Sequence, residues 1–259
     1  MKNIWKSALH ITVGFGGLIV IWQLVASFGG FNPALFPSPW KALLGFGELV
    51  GNGSLLLGIK DSMIRFLIGY SAAVVLAVAL GLLLGWFSHI WGFVNPVVQW
   101  LRPISPLAWM PFIVLWFGIG DLPAIIIILY AAFFPVLLTT VSGVAKVDPT
   151  YLKVARNFGI RQPQIFFKII FPAVFPQVMN GLRLALGTAW VFLVAGEMVG
   201  AQSGLGYLII DSRNNLRADH LMAVMIVIGV IGFLLDTGIR QLEKLVSKNW
   251  GHSLSGKGV

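Results

Sequence analysis

Apolar runs of close to twenty residues, separated by short polar stretches, set the pattern of the chain. The first covers 9–28 (LHITVGFGGLIVIWQLVASF) and the second 63–87 (MIRFLIGYSAAVVLAVALGLLLGWF). A third lies within 92–118 and is interrupted by Pro96, Pro103, Pro106 and Pro111; three more cover 121–141, 177–199 and 218–240. About twenty helical residues, at ~1.5 Å each, cross the ~30 Å of hydrocarbon in a bilayer. The pattern predicts an all-α, polytopic membrane protein: one transmembrane domain over 1–259, with about six spans of which the third is broken. Lys2 and Lys6 precede the first run as they would in a signal peptide. That run is longer than a signal core and no small-x-small cleavage site follows, so a retained span is expected.

Two polar-flanked segments carry helix signals of their own. Ser38 followed by Pro39 reads as an N-cap with proline at the first helical position, which predicts a short helix over 39–49 lying on the membrane surface. Asp148 followed by Pro149 repeats the signal, and Gly159 suits the left-handed residue that closes a helix. Between them Tyr151, Ala155 and Phe158 share one face, with Lys153 and Arg156 elsewhere. A second short helix begins at Pro163, carries Ile165, Phe166, Ile169 and Ile170 on one side, and is expected to stop at Pro172. Residues 148–172 thus form a helix–turn–helix with an apolar tip and basic flanks. Such a segment suits either the surface of anionic lipid or a pocket on a cytoplasmic protein.

Composition strengthens the membrane reading. The chain is 58% hydrophobic and 10% charged, where soluble domains carry about 25% charged residues. With no cysteine, disulfides, thiolate metal sites and cysteine nucleophiles are excluded. The formal charge of +9 comes from lysines and arginines spread over short loops rather than along one face, which argues against nucleic acid. Their distribution is lopsided: Lys2, Lys6, Lys146, Lys153, Arg156, Arg161, Lys168, Arg240, Lys244, Lys248 and Lys257 fall on one side of the six spans, and Lys41, Lys60, Arg213 and Arg217 on the other. The positive-inside rule places both termini and the 148–172 segment in the cytoplasm.

The segment resembles the cytoplasmic signature of permease subunits of bacterial ATP-binding cassette importers, Glu-Ala-Ala, three residues, Gly, nine residues, Ile-x-Leu-Pro. Here Lys153-Val154-Ala155 is followed by Gly159 and then Ile169-Ile170-Phe171-Pro172. Lys153, Val154 and Phe171 stand where the family has glutamate, alanine and leucine. FPSPWKA, LRPISPLAWMPFIVLWFGIG, GLRLALGTAWVFLVAGEM and GAQSGLGYLI, in that order, look like the branch that imports alkanesulfonates, taurine, nitrate or bicarbonate. The resemblance implies that Tyr151, Lys153, Ala155, Arg156, Phe158, Gly159 and Pro172 belong to a loop that docks on the ATPase. It also implies a second copy of the chain, a cytoplasmic ATPase dimer, an extracytoplasmic solute-binding protein, and movement of a small anion by alternating access. A pyrimidine-type vitamin precursor is the alternative solute; a non-transporting membrane anchor or sensor is the alternative role, against which the broken span argues.

No catalytic constellation is legible. Residues 251–257 (GHSLSGK) fit G-x4-G-K, but Gly258 replaces the Ser/Thr and no helix follows. ATP and Mg²⁺ are therefore expected on a separate subunit, with no cofactor or metal in this chain. His10, His89, His220 and His252 are scattered and no G-x-S-x-G occurs, which leaves a hydrolase without machinery. Charges inside spans are functional candidates. Arg65 and Asp236 lie near span ends and are expected to snorkel. Arg183 and Glu197 are 14 residues apart on the fifth span, about 21 Å, facing the same way toward a subunit interface. Arg183 would organise the loop or meet an anion, and Glu197 would pair with a cation such as Arg102 or with a backbone N–H. Asn95, Gln99, Trp100, Arg102 and Trp109, together with Arg183 and Glu197, are the candidate lining of a path.

Overall fold

Helices supply all the regular structure among the described residues, which in this computed structural model are 2–30, 32, 35–148, 150, 155, 157–159 and 162–249. The first helix, α1 (Lys2–Phe28), is followed by α2 (Pro39–Gly51). Ser38 caps α2 as expected, its hydroxyl accepting from the Lys41 N–H at 3.4 Å. Then come α3 (Ser54–Trp86), α4 (Ser88–Leu101), a 3-10 turn (Pro106–Trp109), α5 (Met110–Phe117) and α6 (Asp121–Ala145). A short helix (Gln162–Ile165) and a π turn (Phe166–Ile170) within the 148–172 segment lead into α7 (Phe171–Gly200), and α8 (Leu205–Asn214) and α9 (Ala218–Asn249) follow.

Four of the expected spans are present as long helices with adjusted ends, and the first and third coincide with shorter ones. Four helical stretches are long and apolar enough to cross a membrane: Ser54–Trp86, Asp121–Ala145, Lys168–Gly200 and Ala218–Leu245. Val13–Phe28 and Pro106–Phe117 are shorter apolar helices. The second span begins at Ser54 rather than near 63, because Asn52 Oδ1 accepts from the Ser54 N–H and starts the helix there. The third span is broken, but not at Pro96, which sits inside α4. The break falls at 102–105, after which Pro106 opens the 3-10 turn and Pro111 occupies the first turn of α5, where a missing N–H is harmless.

The core lies along α6. Its apolar window is 56% buried, against 11% for α9, so α6 is the central helix and α9 a peripheral one. It packs along both α3 and α7, and small residues permit the close approach. A Cβ on Gly181 of α7 would lie 3.1 Å from Thr139 Cβ and 3.4 Å from Val136 Cα of α6. The aromatic Phe66 stacks on Tyr70 and meets Trp190 edge-on, which ties α3 to α7 over the same core. Without a hydrophobic drive between helices in lipid, such packing and hydrogen bonds carry the association.

The helix ends divide between two faces of the bundle. One carries the start of α3, the start of α6, the end of α7 and α8; the other carries the end of α6 and the 148–172 segment. On the first face Leu216, at φ +55°, ends α8 with Arg217 N–H donating to Ser212 O at 2.9 Å and Leu216 N–H to Arg213 O at 3.1 Å. That turn aims Arg217 at Glu48 of α2 (2.5 Å) and Asp219 (2.8 Å). The Arg217 hydrogen bond, then one with His220, hold the Glu48 carboxyl below its ordinary range.

The α6–α7 contact gives a stability test. Gly181→Leu should lower unfolding stability in detergent by about 1–3 kcal/mol, since the larger side chain must push α6 away. Gly229→Leu on α9, whose Cβ would meet nothing within 4 Å, should change thermal unfolding little. Equal effects from the two would refute the packing argument.

Candidate functional site

Three features stand out: a buried ion cluster at the first face, a polar cleft along α6 and α7, and the 148–172 segment at the second face.

The cluster centres on Arg65 of α3 (4% exposed) and Glu197 of α7 (1% exposed). Arg65 Nη1 donates to Glu197 Oε1 at 2.7 Å and to the Ser203 carbonyl at 2.7 Å. Its Nε donates to Asp121 Oδ1 of α6 at 2.7 Å and its Nη2 to Ser203 Oγ at 2.5 Å. Glu197 also accepts from the Ser62 hydroxyl at 2.8 Å and from the Gly206 N–H at 2.9 Å, while Ser62 Oγ accepts from the Leu205 N–H at 2.8 Å. Close packing requires the glycines here. A Cβ on Gly204 (φ +104°) would overlap Glu197 and Arg65, and one on Gly206 would overlap the Val194 carbonyl. The stretch GAQSGLG is thus a strap that closes over the ion pair.

These contacts correct three expectations. Arg65 does not snorkel: it is enclosed because two carboxylates and Ser203 satisfy its guanidinium inside the bundle. The cation paired with Glu197 is Arg65, not Arg102, although the expected backbone N–H partner is present in Gly206. Glu197 does not face a subunit interface with Arg183, being closed off within its own chain. Arg183 instead meets α9, with Glu243 Oε2 at 3.4 Å and Asp236 Oδ1 at 4.0 Å. Asp236 also pairs with Arg240 at 2.8 Å.

The cleft has a volume of about 420 Å³ and is lined by Arg102, Lys146, Ser142, Gln177, Asn180 and Thr188 among others. The hydroxyl of Tyr130 donates to the Leu101 carbonyl at 2.8 Å, which fixes the turn bearing Arg102 against α6. A smaller neighbouring cleft, about 300 Å³, is lined by Asn95, Gln99, Trp91 and Ser88, and shares Leu138 and Ser142 with the first. Of the residues expected along a path, Arg102, Asn95 and Gln99 therefore line these clefts. Trp100 is 71% exposed on the same stripe of α4 as Phe93 and Val97. Trp109 packs against Tyr130 and Phe112, its indole N–H buried with no hydrogen-bond partner. Lys146, Ser142, Gln177 and Asn180 were not anticipated. A signal existed: Thr139, Ser142 and Lys146 on α6, and Gln177, Asn180 and Thr188 on α7, recur at helical spacing inside spans that are otherwise apolar.

At the second face Asp148 Oδ1 accepts from the Thr150 N–H at 2.8 Å, the expected N-cap, and Gly159 has φ +69°, the expected left-handed closure. Ala155 and Phe158 do not share a face. Ala155 is 2% exposed in a cluster with Leu82, Val144, Ile165, Ile170 and Val174. Phe158, in the turn beyond the helix, is 80% exposed. Pro172 does not stop the second helix. The chain widens into a π turn over Phe166–Ile170 just before it and runs on into α7, because the wider turn accommodates a proline ring and its missing N–H. Tyr151, Lys153 and Arg156, and the 251–257 stretch, lie outside the described residues.

Glu48, Asp219 and His220 bring potential metal ligands within 4.8 Å of one another. Arg217 Nη2 already stands among them, 2.5 Å from Glu48, 2.8 Å from Asp219 and 2.7 Å from His220. A cation of the protein's own occupies the position a metal would take.

Residues 73–250 match the family described as "Binding-protein-dependent transport system inner membrane component". A putative aliphatic sulfonates transport permease protein of Bacillus subtilis is 34% identical, covering 92% of this chain and 86% of its own length. A taurine transport system permease protein of Escherichia coli is 31% identical over 94% and 92%, and a nitrate import permease protein of Synechocystis 34% over 90% and 87%. An inward-facing structure of the MetNI methionine ABC transporter shares the fold, with a TM-score of 0.65 and 19% identity over 74% of this chain and 95% of the matched chain.

The ion cluster predicts a specific coupling. Arg65→Met should cost about 3–5 kcal/mol of stability by leaving Glu197 buried without its cation. Adding Glu197→Gln should restore more than half of the loss, because the amide still accepts from Gly206 and carries no charge. Thermal unfolding of the purified single and double variants checks this; strictly additive losses would contradict it.

Proposed function

The chain belongs to the family of binding-protein-dependent transport system inner membrane components, and from that premise we propose how this permease works. Two copies form one pathway between a cytoplasmic ATPase dimer and an extracytoplasmic binding protein. The solute is a small oxyanion of the sulfonate, taurine, nitrate or bicarbonate kind, and both termini face the cytoplasm. This chain carries no ATP site; ATP and Mg²⁺ act on the partner ATPase, and 148–172 is the segment that receives its motion.

The supporting observation is the contrast between Ala155 and Phe158. Ala155 anchors the segment against the ends of α3, α6 and α7, while Phe158 stands out at the tip beside the left-handed Gly159. An exposed aromatic on an anchored turn is the type of side chain that fills a protein pocket. Closure of the ATPase dimer would pull on this tip, and the load would pass through Ile165 and Ile170 into α7, with which the segment is continuous. Tyr151, Lys153 and Arg156 complete the docking surface on this reading. Two cations in the α6–α7 cleft accord with an anionic solute.

Gly159 separates docking from folding. A Cβ there would meet nothing within 4 Å, so a substitution acts through the backbone alone, at roughly 1–2 kcal/mol for a residue that resists the left-handed region. Gly159→Val should insert normally yet lose ATP-driven uptake and co-purification of the ATPase. Gly159→Asn, which tolerates that conformation, should retain both, and Phe158→Ala should lose them. A segment that merely coats lipid would leave Gly159→Val transporting normally.

Orientation has its own test in this cysteine-free chain. A cysteine at Gln162 should react with an impermeant maleimide in inside-out vesicles and stay unlabelled in intact cells. Labelling from outside the cell would reverse the assigned topology.

A further inference from the structure

We propose that the permease itself holds the oxyanion in the α6–α7 cleft, recognising it at Arg102 and releasing it past Lys146. This deepens the transport reading above and rests on it. Arg102 and Lys146 both line the cleft, and none of its lining residues is acidic. Neither cation has an ion pair among the described residues, whereas Arg65, Arg183, Arg217 and Arg240 each do. An arginine and a lysine that lack ion pairs therefore share one cavity within an apolar bundle.

The remaining donors fit the same ligand. Thr139 and Thr188 donate to carbonyls of their own helices, so their hydroxyl protons are engaged. Ser142 and Asn180 make no side-chain hydrogen bond among the described residues and are exposed to the cleft. The Gln177 carboxamide turns its oxygen inward, buried without a partner, which leaves its NH₂ as the end that can donate to an anion. Uncommitted donors in a lining without a carboxylate describe a host for an acceptor-only ligand. The planar fork of arginine matches two oxygens of a sulfonate, nitrate or carbonate group, and a lysine offers a point charge.

The two cations sit at different depths. Arg102 follows Leu101, which is bonded to Tyr130 in the first half of α6, while Lys146 caps the C-terminus of that helix. From Thr188 to Gln177 the cleft follows α7 for about 16 Å. An anion of a few atoms cannot touch both ends at once, so it passes from one to the other. Two moderate sites in series meet the requirement that a solute bind well enough to enter and weakly enough to leave.

A reporter cysteine tests the site without knowledge of the natural solute. Thr188→Cys in the purified, lipid-reconstituted permease would be reacted with an anionic methanethiosulfonate carrying a sulfonate and with its cationic trimethylammonium counterpart. With each rate divided by that of a small free thiol in solution, the anionic-to-cationic rate ratio should be about ten or more, given the focusing of charge in a low-dielectric cleft. Arg102→Gln and Lys146→Gln, added singly, should each cut that ratio several-fold, and Arg102→Lys should leave most of it. Ethanesulfonate or nitrate at tens of millimolar should protect the cysteine, and Arg102→Gln should abolish the protection. A rate ratio near one, or a ratio untouched by both charge removals, or no protection by either anion, would overturn the proposal. ATP-driven uptake by the whole transporter, measured in parallel, separates the two readings. Intact uptake with no charge effect defeats the site alone, and a charge effect without uptake defeats the importer assignment alone.

Discussion

The ion pair of Arg65 and Glu197 is the constraint around which this bundle is organised. A carboxylate enclosed in a membrane-spanning helix is tolerable only if its charge and its lone pairs are met. Three donors meet them: a guanidinium from α3, a hydroxyl from α3 and a backbone N–H from the start of α8. Arg65 in turn reaches Asp121 at the start of α6, where a carboxylate also suits the positive end of the helix dipole. One buried pair thus fixes the relative height of α3, α6 and α7 and brings the strap across their ends. Gly204 and Gly206 are consequences of the pair, since no side chain fits between the strap and the carboxylate.

Below that pin the three helices approach through small residues rather than through charge. Gly69 and Gly81 of α3 face Ile128 and Thr140 of α6, and Gly143 and Gly181 join α6 to α7. Close backbone approach leaves the polar stripes of α6 and α7 side by side along the cleft. The cleft is the space that remains beside a tight seam. The same packing that holds the helices therefore exposes Lys146, Gln177 and Asn180, and Arg102 is added by the break in the third span. A continuous third helix would have no turn at 102–105 to carry it there.

Much of this was legible in the sequence because it depends on local rules. The spans follow from hydropathy, the Ser38 and Asp148 caps from side-chain chemistry, and the left-handed Gly159 from its position after a helical face. Pairings between distant elements were not legible. Nothing local to Arg65 indicates that its carboxylates lie 56 and 132 positions away, and its place near a predicted span end made an exposed side chain the natural expectation. Pro172 misled for a related reason: a proline ends an isolated helix, but a π turn ahead of it can absorb the defect when the flanking Ile170 and Val174 are anchored in a core. Phe158 was assigned to the face of Ala155 by spacing alone, and the turn at Gly159 takes it off that face.

The position of α7 connects the two ends of the molecule. It spans 30 residues, about 45 Å, from the cluster that buries Ile170 and Val174 to the carboxylate of Glu197. Along its length it carries Gln177, Asn180 and Thr188 into the cleft, and Arg183 toward the carboxylates of α9. On the proposed reading, a pull at Phe158 enters this helix at the π turn, the wider and less regular stretch of its backbone, while the far end is held at Arg65. A rod held at one end and displaced at the other tilts, and displacement grows with distance from the pin. The Lys146 end of the cleft would then change shape more than the Arg102 end. Recognition at Arg102 near the held part of the bundle, and release past Lys146 at the moving part, is the division of labour that this lever geometry favours.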